Sequence, residues 1–83
     1  MKKIKCISTT TCPKCPEVTN YLHTKVVGIS TEFITEKDPW FASQCKLYNA
    51  TQAPTVIIFG DEDVELGRAN DLQELKVLLK NVT

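Results

Sequence analysis

The segment Cys12-Pro13-Lys14-Cys15 is the feature that most constrains what this chain can fold into. It follows a short apolar run typical of a β-strand and opens a segment of helical periodicity, with Pro13 suited to the first helical position. Helix N-termini and nearby cations such as Lys14 make a cysteine thiol more acidic and more reactive. The sequence therefore predicts Cys12 as the reactive thiol of a pair on a strand–helix unit, a pattern typical of redox sites.

The length and charge balance limit the classes of function. The chain has 83 residues, of which 42% are hydrophobic and 24% charged, which predicts a single globular domain over residues 1–83. Its 10 basic and 10 acidic residues cancel, so we expect neither nucleic acid nor a membrane as partner. No apolar run approaches the ~20 residues that cross a bilayer, and no signal-peptide core follows the first lysines. We expect a cytoplasmic monomer.

The first part of the chain predicts a strand and a helix. The strand covers Lys3–Ser8, and its apolar side chains fall on both faces, which is typical of a central strand. The helix ends at Gly28, and Pro16 is tolerated because it lies in the first turn. Its apolar residues are spaced three and four apart and form one stripe: Cys15, Val18, Leu22 and Val26.

A second strand and helix follow. Ser30–Glu36 is predicted as the strand. Asp38-Pro39 is a helix start signal, with Asp38 as N-cap and Pro39 at the first helical position, and this helix should run to about Tyr48-Asn49. Its inner stripe consists of Phe41, Cys45 and Tyr48.

The remaining chain predicts a hairpin and a closing helix. Thr55–Phe59 is the most strand-like run and should be central, Gly60–Asp63 is the turn, and Val64–Leu66 is the returning strand. The last helix starts at Asn70, with Gln73 as its capping-box partner. Its buried stripe is Leu72, Leu75, Leu79 and Val82, with Leu78 adjacent.

The predicted order is β-α-β-α-β-β-α, an α/β fold with a four-stranded mixed sheet and helices on both faces. This order resembles the thioredoxin fold in its shortest form, and most closely glutaredoxin and the small glutaredoxin-like thioredoxins. Three landmarks carry the resemblance. Cys12-Pro13-Lys14-Cys15 is similar to the C-P-x-C of glutaredoxins, Gln52–Val56 matches the family's cis-proline segment, and Leu66–Leu72 resembles the G-G-x-D-D-L that joins the last strand to the last helix.

The resemblance implies a thiol–disulfide oxidoreductase. Cys12 would attack a substrate disulfide and Cys15 would resolve the mixed disulfide, while Pro13 and Lys14 tune the redox poise. Pro54 would be cis and lie opposite Cys12, with the substrate bound along Ala53, Pro54 and Thr55. No bound cofactor is implied. The implied partners are disulfide-containing client proteins, ribonucleotide reductase among them, and an electron donor that is either glutathione or a thioredoxin-reductase-type enzyme.

The candidate residues for glutathione contact are Arg68, Asn70 and Asp71. Arg68 stands where glutaredoxins have their second glycine, and Asn70 stands where they have an acidic residue. Thr10 replaces the lysine that they often carry two residues before the first cysteine. These differences argue against glutathione as the physiological reductant.

Two other readings of the cysteine pair stay open. A structural disulfide is disfavoured in a reducing compartment. A zinc site needs about four ligands, and the chain offers only Cys6, Cys45 and His23 besides the pair, at no matching spacing, so we predict no metal. The alternative function is a thioredoxin-fold binding module whose C-x-x-C holds a metal or an iron–sulfur cluster, the latter shared between two chains through Cys12. Cys6 and Cys45 are expected in the core.

Overall fold

The secondary-structure elements follow each other in the predicted order, and the computed structural model describes residues 2–26 and 28–82. A short 3-10 turn, Asp61–Asp63, interrupts the hairpin between the last two strands. The strands and helices are β1 Lys3–Ile7, α1 Cys15–Lys25, β2 Ser30–Ile34, α2 Phe41–Leu47, β3 Thr55–Phe59, β4 Glu65–Ala69 and α3 Leu72–Val82.

The four strands form one mixed sheet in the order β2-β1-β3-β4. β1 is parallel to β2 and antiparallel to β3, and β3 is antiparallel to β4. Cys6 on β1 is paired with Phe33 on one side and with Val56 on the other. The predictions of a mixed sheet and of β1 and β3 as its central strands are therefore confirmed.

Helices cover both faces of the sheet, as predicted. On one face, α1 and α3 pack over a core that includes Ile4, Cys6, Val18, Leu22, Val56, Ile58, Ala69, Leu75 and Leu79. The other face carries α2, where the Tyr48 ring lies edge-on to the Phe59 ring at 5.5 Å between centroids. None of the residues of α2 is fully buried, so this helix packs less extensively on the sheet than α1 and α3 do. Leu75 and Leu79 confirm the α3 stripe, whereas the side chain of Val82 lies outside the described part of the chain.

The start of α1 differs from the sequence prediction. Pro13 lies before the helix, Lys14 is the N-cap, and Cys15 is the first helical residue, so Pro16 takes the second helical position. A start at Pro13 would have put Pro16 fourth, where its missing N–H and its ring would break the first helical hydrogen bond. The helix also ends earlier, at Lys25, and Gly28 beyond it adopts a φ of +83° that favours glycine.

The start of α2 was also predicted too early. Asp38 does not cap the helix, because its carboxylate accepts a hydrogen bond from the Thr35 backbone N–H at 2.9 Å. The same two residues close a turn through the bond from the Asp38 N–H to the Thr35 carbonyl, which ends β2 at Ile34 rather than at Glu36. The helix begins only at Phe41, with Trp40 at the N-cap and Pro39 outside it.

The hairpin and the last helix require smaller corrections. β4 is longer than predicted and reaches Ala69, because its pairing with β3 continues past a β-bulge opposite Ile58 and Phe59. Asp71, and not Asn70, caps α3: its Oδ1 accepts the Glu74 backbone N–H at 2.8 Å. The predicted partner Gln73 is not used. The Glu74 carboxylate instead accepts the backbone N–H of Asn70, one residue before the cap, at 2.7 Å.

Cys6 lies fully buried under the α1–α3 layer, which confirms its predicted place in the core. Burial, with smaller contributions from the nearby Cys15 and Cys12 thiols, raises the pKa of its thiol from 9.0 to about 12. Between pH 9 and pH 12 the unfolded chain has lost a proton that the folded chain keeps. The free energy of unfolding therefore falls as the pH rises through this range.

We predict that Cys6→Ala makes this fall shallower, because one group of the wild-type protein contributes up to about 1.4 kcal/mol per pH unit. Urea unfolding between pH 8 and pH 11 measures the slope. Val56→Ala is the matched control, since Val56 is the strand partner of Cys6 and carries no titrating group. It should lower the unfolding free energy at every pH and keep the wild-type slope. A Cys6→Ala curve parallel to the wild type would contradict the prediction.

Candidate active site

The two thiols of the C-x-x-C occupy different environments. Cys12 ends a tight turn after β1, in which its backbone N–H donates to the Thr9 carbonyl at 3.4 Å, and its side chain is partly exposed. Cys15, the first residue of α1, is only 3% exposed. The expectation that Cys12 is the more accessible thiol is confirmed. Both cysteines are in the free thiol form.

The Cys15 thiol is held in its protonated form. Burial and, after it, a hydrogen bond with the Cys12 thiol raise its pKa to about 11, against an opposing hydrogen bond from the Thr9 backbone. This interaction places the two thiols close to each other. A thiol that is close, buried and protonated at neutral pH is suited to act second, after its partner has reacted.

The segment before β3 lies against Cys12. The Ala53–Pro54 peptide bond is cis, as the sequence predicted, and the Cys12 thiol donates a hydrogen bond to the Ala53 carbonyl at 3.3 Å. The Asn70 side-chain amide donates to the Pro54 carbonyl at 3.2 Å and to the Thr55 hydroxyl at 3.1 Å. The Thr55 hydroxyl in turn donates to the Gln52 carbonyl. Asn70 thus ties this segment to the junction between β4 and α3.

Sequence reasoning missed one residue that shapes the site. The Glu36 carboxylate accepts hydrogen bonds from the Thr10 backbone N–H, at 3.0 and 3.1 Å to its two oxygens, and from the Thr10 hydroxyl. These bonds hold the pKa of Glu36 below its ordinary value. Thr10 lies in the turn that carries Cys12, so Glu36 fixes this turn to the end of β2. No motif joins two residues 26 positions apart, so no sequence signal could have found the pair.

Of the remaining predicted site residues, Pro13 and Lys14 are both exposed next to Cys12. Asp71 is engaged as the α3 cap described above. The Arg68 guanidinium forms a two-bond pair with Glu65 and donates to the Tyr48 carbonyl at 2.8 Å. The structure therefore brings Cys15, Ala53, Pro54, Thr55 and Asn70 together around Cys12, while Arg68 points toward the end of α2.

Two open clefts flank the pair. One, of about 440 Å³, borders Cys15 and is walled by threonine residues and by the His23 ring stacked on Phe33 at 4.3 Å. The other, of about 330 Å³, borders Ala53 and includes Cys45. Cys45 is half-buried in this wall, so its predicted place in the core is corrected.

Among residues 2–26 and 28–82, no group of three or more histidine, cysteine, aspartate or glutamate side chains is placed to hold a metal ion. The same residues include no helix with the length and apolar character needed to cross a bilayer.

Comparisons with known proteins identify the fold. No family model and no curated protein matches the sequence. Among solved structures, thioredoxin O2 from Arabidopsis thaliana in its oxidized state matches with a TM-score of 0.81 at 15% identity, over 99% of this chain and 75% of that one. A thioredoxin from Thermus thermophilus matches with a TM-score of 0.70 at 14% identity, over 96% and 72%. A malarial protein matches with a TM-score of 0.71 at 16% identity, over 98% and 96%.

These likenesses cover nearly the whole chain at low sequence identity, so they report on architecture. They do not distinguish the glutaredoxin-like subtype, which stays a prediction from the sequence. With the sheet order, the cis-proline segment and the C-x-x-C at the start of α1, they show that this chain has the thioredoxin fold.

Proposed function

We propose that this protein is a thiol–disulfide oxidoreductase that reduces protein disulfides through Cys12 and Cys15. The observation that carries the proposal is the inequality of the two thiols. Cys12 is partly exposed and contacts the Ala53 carbonyl, whereas Cys15 is buried behind it with its pKa raised to about 11. Neither a structural disulfide nor a metal site requires one accessible and one protected thiol.

In the first step, the Cys12 thiolate attacks one sulfur of a client disulfide. The client S–S bond breaks, a Cys12–client disulfide forms, and the departing client thiolate takes up a proton. The Cys12 thiol gives up its hydrogen bond to the Ala53 carbonyl when it ionises. This carbonyl is then free to accept a backbone N–H from an extended client segment, in the manner of strand addition.

In the second step, Cys15 attacks the Cys12 sulfur. Part of what keeps Cys15 protonated is its hydrogen bond with the Cys12 thiol, and this contribution ends once Cys12 is in the mixed disulfide. The Cys15 proton is lost, the Cys12–Cys15 bond forms, the Cys12–client bond breaks, and the second client sulfur takes up a proton. The protein dithiol is oxidised by two electrons and the client disulfide is reduced by two. Because the attack is intramolecular, its effective concentration is high.

The oxidised protein needs an external two-electron reductant. We propose a thioredoxin-reductase-type enzyme as donor in preference to glutathione. Arg68 is paired with Glu65, the Asn70 amide is bound to the Pro54 segment, and Asp71 caps α3, so all three candidate glutathione contacts have intramolecular partners. Ribonucleotide reductase is one client that the family resemblance suggests.

Replacing each cysteine in turn separates the two steps. Cys12→Ser should abolish reduction of insulin disulfides, because no nucleophile is left at the site. Cys15→Ser should retain the first step and accumulate a mixed disulfide at Cys12, since nothing resolves it. Intact-mass spectrometry after incubation with an oxidised client detects the adduct, and Cys45→Ser serves as the unreactive control. Free Cys15→Ser protein, or zinc or visible absorbance in the purified wild type, would favour the binding-module alternative.

The unequal thiols predict selective alkylation. In the reduced protein at pH 7, iodoacetamide should label Cys15 and Cys6 at least about tenfold more slowly than Cys12, because their pKa values are raised to about 11 and about 12. Labelling of Cys15 should accelerate as the pH rises toward 11. Peptide mass spectrometry gives the initial rate at each cysteine, and urea-unfolded protein is the control in which the differences disappear. Equal rates at Cys12 and Cys15 at pH 7 would oppose the proposed order of attack.

Glu36 should act as a positioning residue. Glu36→Ala releases the turn that carries Cys12, and we expect the rate of mixed-disulfide formation to fall between about threefold and tenfold through lost orientation. Glu32→Ala is the matched control, because Glu32 is an exposed carboxylate on β2, the strand that leads to Glu36, and it pairs with Lys5 instead. Single-turnover mixing of each Cys15→Ser double variant with a small disulfide measures this step. A decrease of the same size with Glu32→Ala would show that Glu36 has no specific role.

A further inference from the structure

A row of lysine residues follows the groove between α1 and α3. One open cleft, of about 330 Å³, starts beside the active site at Lys14 and reaches Lys76. A second cleft, of about 360 Å³, continues from Lys76 to Lys25 and Lys80. Because Lys76 borders both, the two clefts form one surface, which we call the lysine cleft.

The lysines of the lysine cleft lie on the surface of the protein. All four lysines are exposed, and within residues 2–26 and 28–82 none of them belongs to an ion pair. The Lys76 ammonium lies 5.8 Å from the centre of the Tyr21 ring. Two carboxylates border the cleft, Glu17 and Asp71, and Asp71 already accepts a hydrogen bond as the α3 cap.

The zero net charge of the chain conceals this asymmetry. Four of the 10 basic residues lie on the lysine cleft. Three of the 10 acidic residues share this side, namely Glu17 on α1, Asp71 at the start of α3 and Glu74 on α3. The other seven lie on or beside β2 and β4. The residues that line the lysine cleft, four lysines and two carboxylates, therefore carry a local excess of two positive charges, and the cleft begins at the redox pair.

The floor of the cleft favours a polypeptide over a nucleic acid. It contains apolar side chains between the lysines, including Leu72, Val26 and Ile29, which suit the side chains of a peptide. The carboxylate of Glu17 would repel a continuous phosphate backbone. It would not oppose a protein segment in which acidic residues alternate with others.

We propose that the lysine cleft binds an acidic segment of the client protein, next to the cysteine that Cys12 attacks. This inference rests on the proposed reduction of protein disulfides. α1 has 11 residues and is about 16 Å long, and an extended peptide advances about 3.3 Å per residue. Acidic residues about two to six positions from the attacked cysteine would therefore face the lysines.

The test compares three synthetic peptides that carry the same intramolecular disulfide and differ only in flanking residues, four glutamates, four glutamines or four lysines. The fully reduced protein is mixed with each peptide in excess, and the second-order rate constant of reduction is measured. At 20 mM ionic strength the glutamate peptide should react about tenfold faster than the glutamine peptide, and the lysine peptide more slowly than both. The preference should shrink toward one at 500 mM NaCl.

Two double variants test whether the preference for the glutamate peptide depends on the lysine cleft. Lys76→Glu/Lys80→Glu should abolish or invert the ratio of the glutamate to the glutamine rate, a comparison that cancels any general loss of reactivity. Lys2→Glu/Lys46→Glu is the matched control with the same change in net charge. Lys2 precedes β1, at the end of the strand far from Cys12, and Lys46 lies on α2 on the other face of the sheet. This control should keep most of the wild-type ratio. Circular dichroism of both double variants checks that the fold is retained.

The experiment distinguishes failure of the lysine-cleft proposal from failure of the proposed function. If none of the peptides is reduced, the redox proposal itself fails. If the peptides are reduced at equal rates, or if both double variants lose the preference equally, the redox proposal stands and the lysine cleft has no docking role. Tight binding of a single-stranded oligonucleotide that Lys76→Glu/Lys80→Glu removes, with no preference among the peptides, would overturn the assignment in favour of a nucleic-acid partner.

Discussion

The antiparallel pairing of β1 with β3 is the interaction on which the rest of this structure depends. Ile7, the last residue of β1, is opposite Thr55, the first residue of β3. The loop that leaves β1 and the loop that enters β3 are therefore at the same edge of the sheet. The first carries Cys12 and the second carries Ala53, which is why two segments 41 positions apart in the sequence come within 3.3 Å. Both are the central strands of the sheet, so each is hydrogen-bonded to a neighbouring strand on both sides at the end where the site lies.

The packing of α1 on this sheet makes the two thiols unequal. Its buried stripe of Cys15, Val18 and Leu22 turns Cys15 toward the sheet, and the two prolines delay the helix start until that residue. Cys12 is left outside the helix, in a turn held by Glu36 and Thr10. The accessible thiol of Cys12 and the buried thiol of Cys15 are thus only three residues apart. The burial of Cys15 raises its pKa. The proposed order of the two steps is in this sense a consequence of hydrophobic packing.

The parts of the fold that the sequence predicted well are those set by local pattern. Thr55–Phe59 is an uninterrupted apolar, β-branched run, and its predicted bounds match β3. Helix starts were predicted less well, because side chains that can cap a helix also have other partners. Asp38 bonds to Thr35 and Asn70 bonds to Pro54, and both choices depend on the tertiary structure. In the site, the C-x-x-C and Pro54 were visible from motif and resemblance, whereas the Glu36 anchor exists only after β1 and β2 have paired.

The distribution of charge over the surface also could not be predicted from the amino-acid composition. A balance of 10 basic and 10 acidic residues excludes a strong overall field, but it says nothing about where each sign lies. Helical periodicity places Lys25, Lys76 and Lys80 on the solvent side of α1 and α3, and the packing of these helices side by side then brings the lysines to one groove. The Debye length is about 8 Å at physiological salt. A partner a few ångströms from the cleft is therefore attracted by these lysines, and the net charge of the whole chain has little effect on it. Under the proposed function, a domain of zero net charge can therefore still select clients by charge, because Lys14 of the cleft lies within the C-x-x-C segment itself.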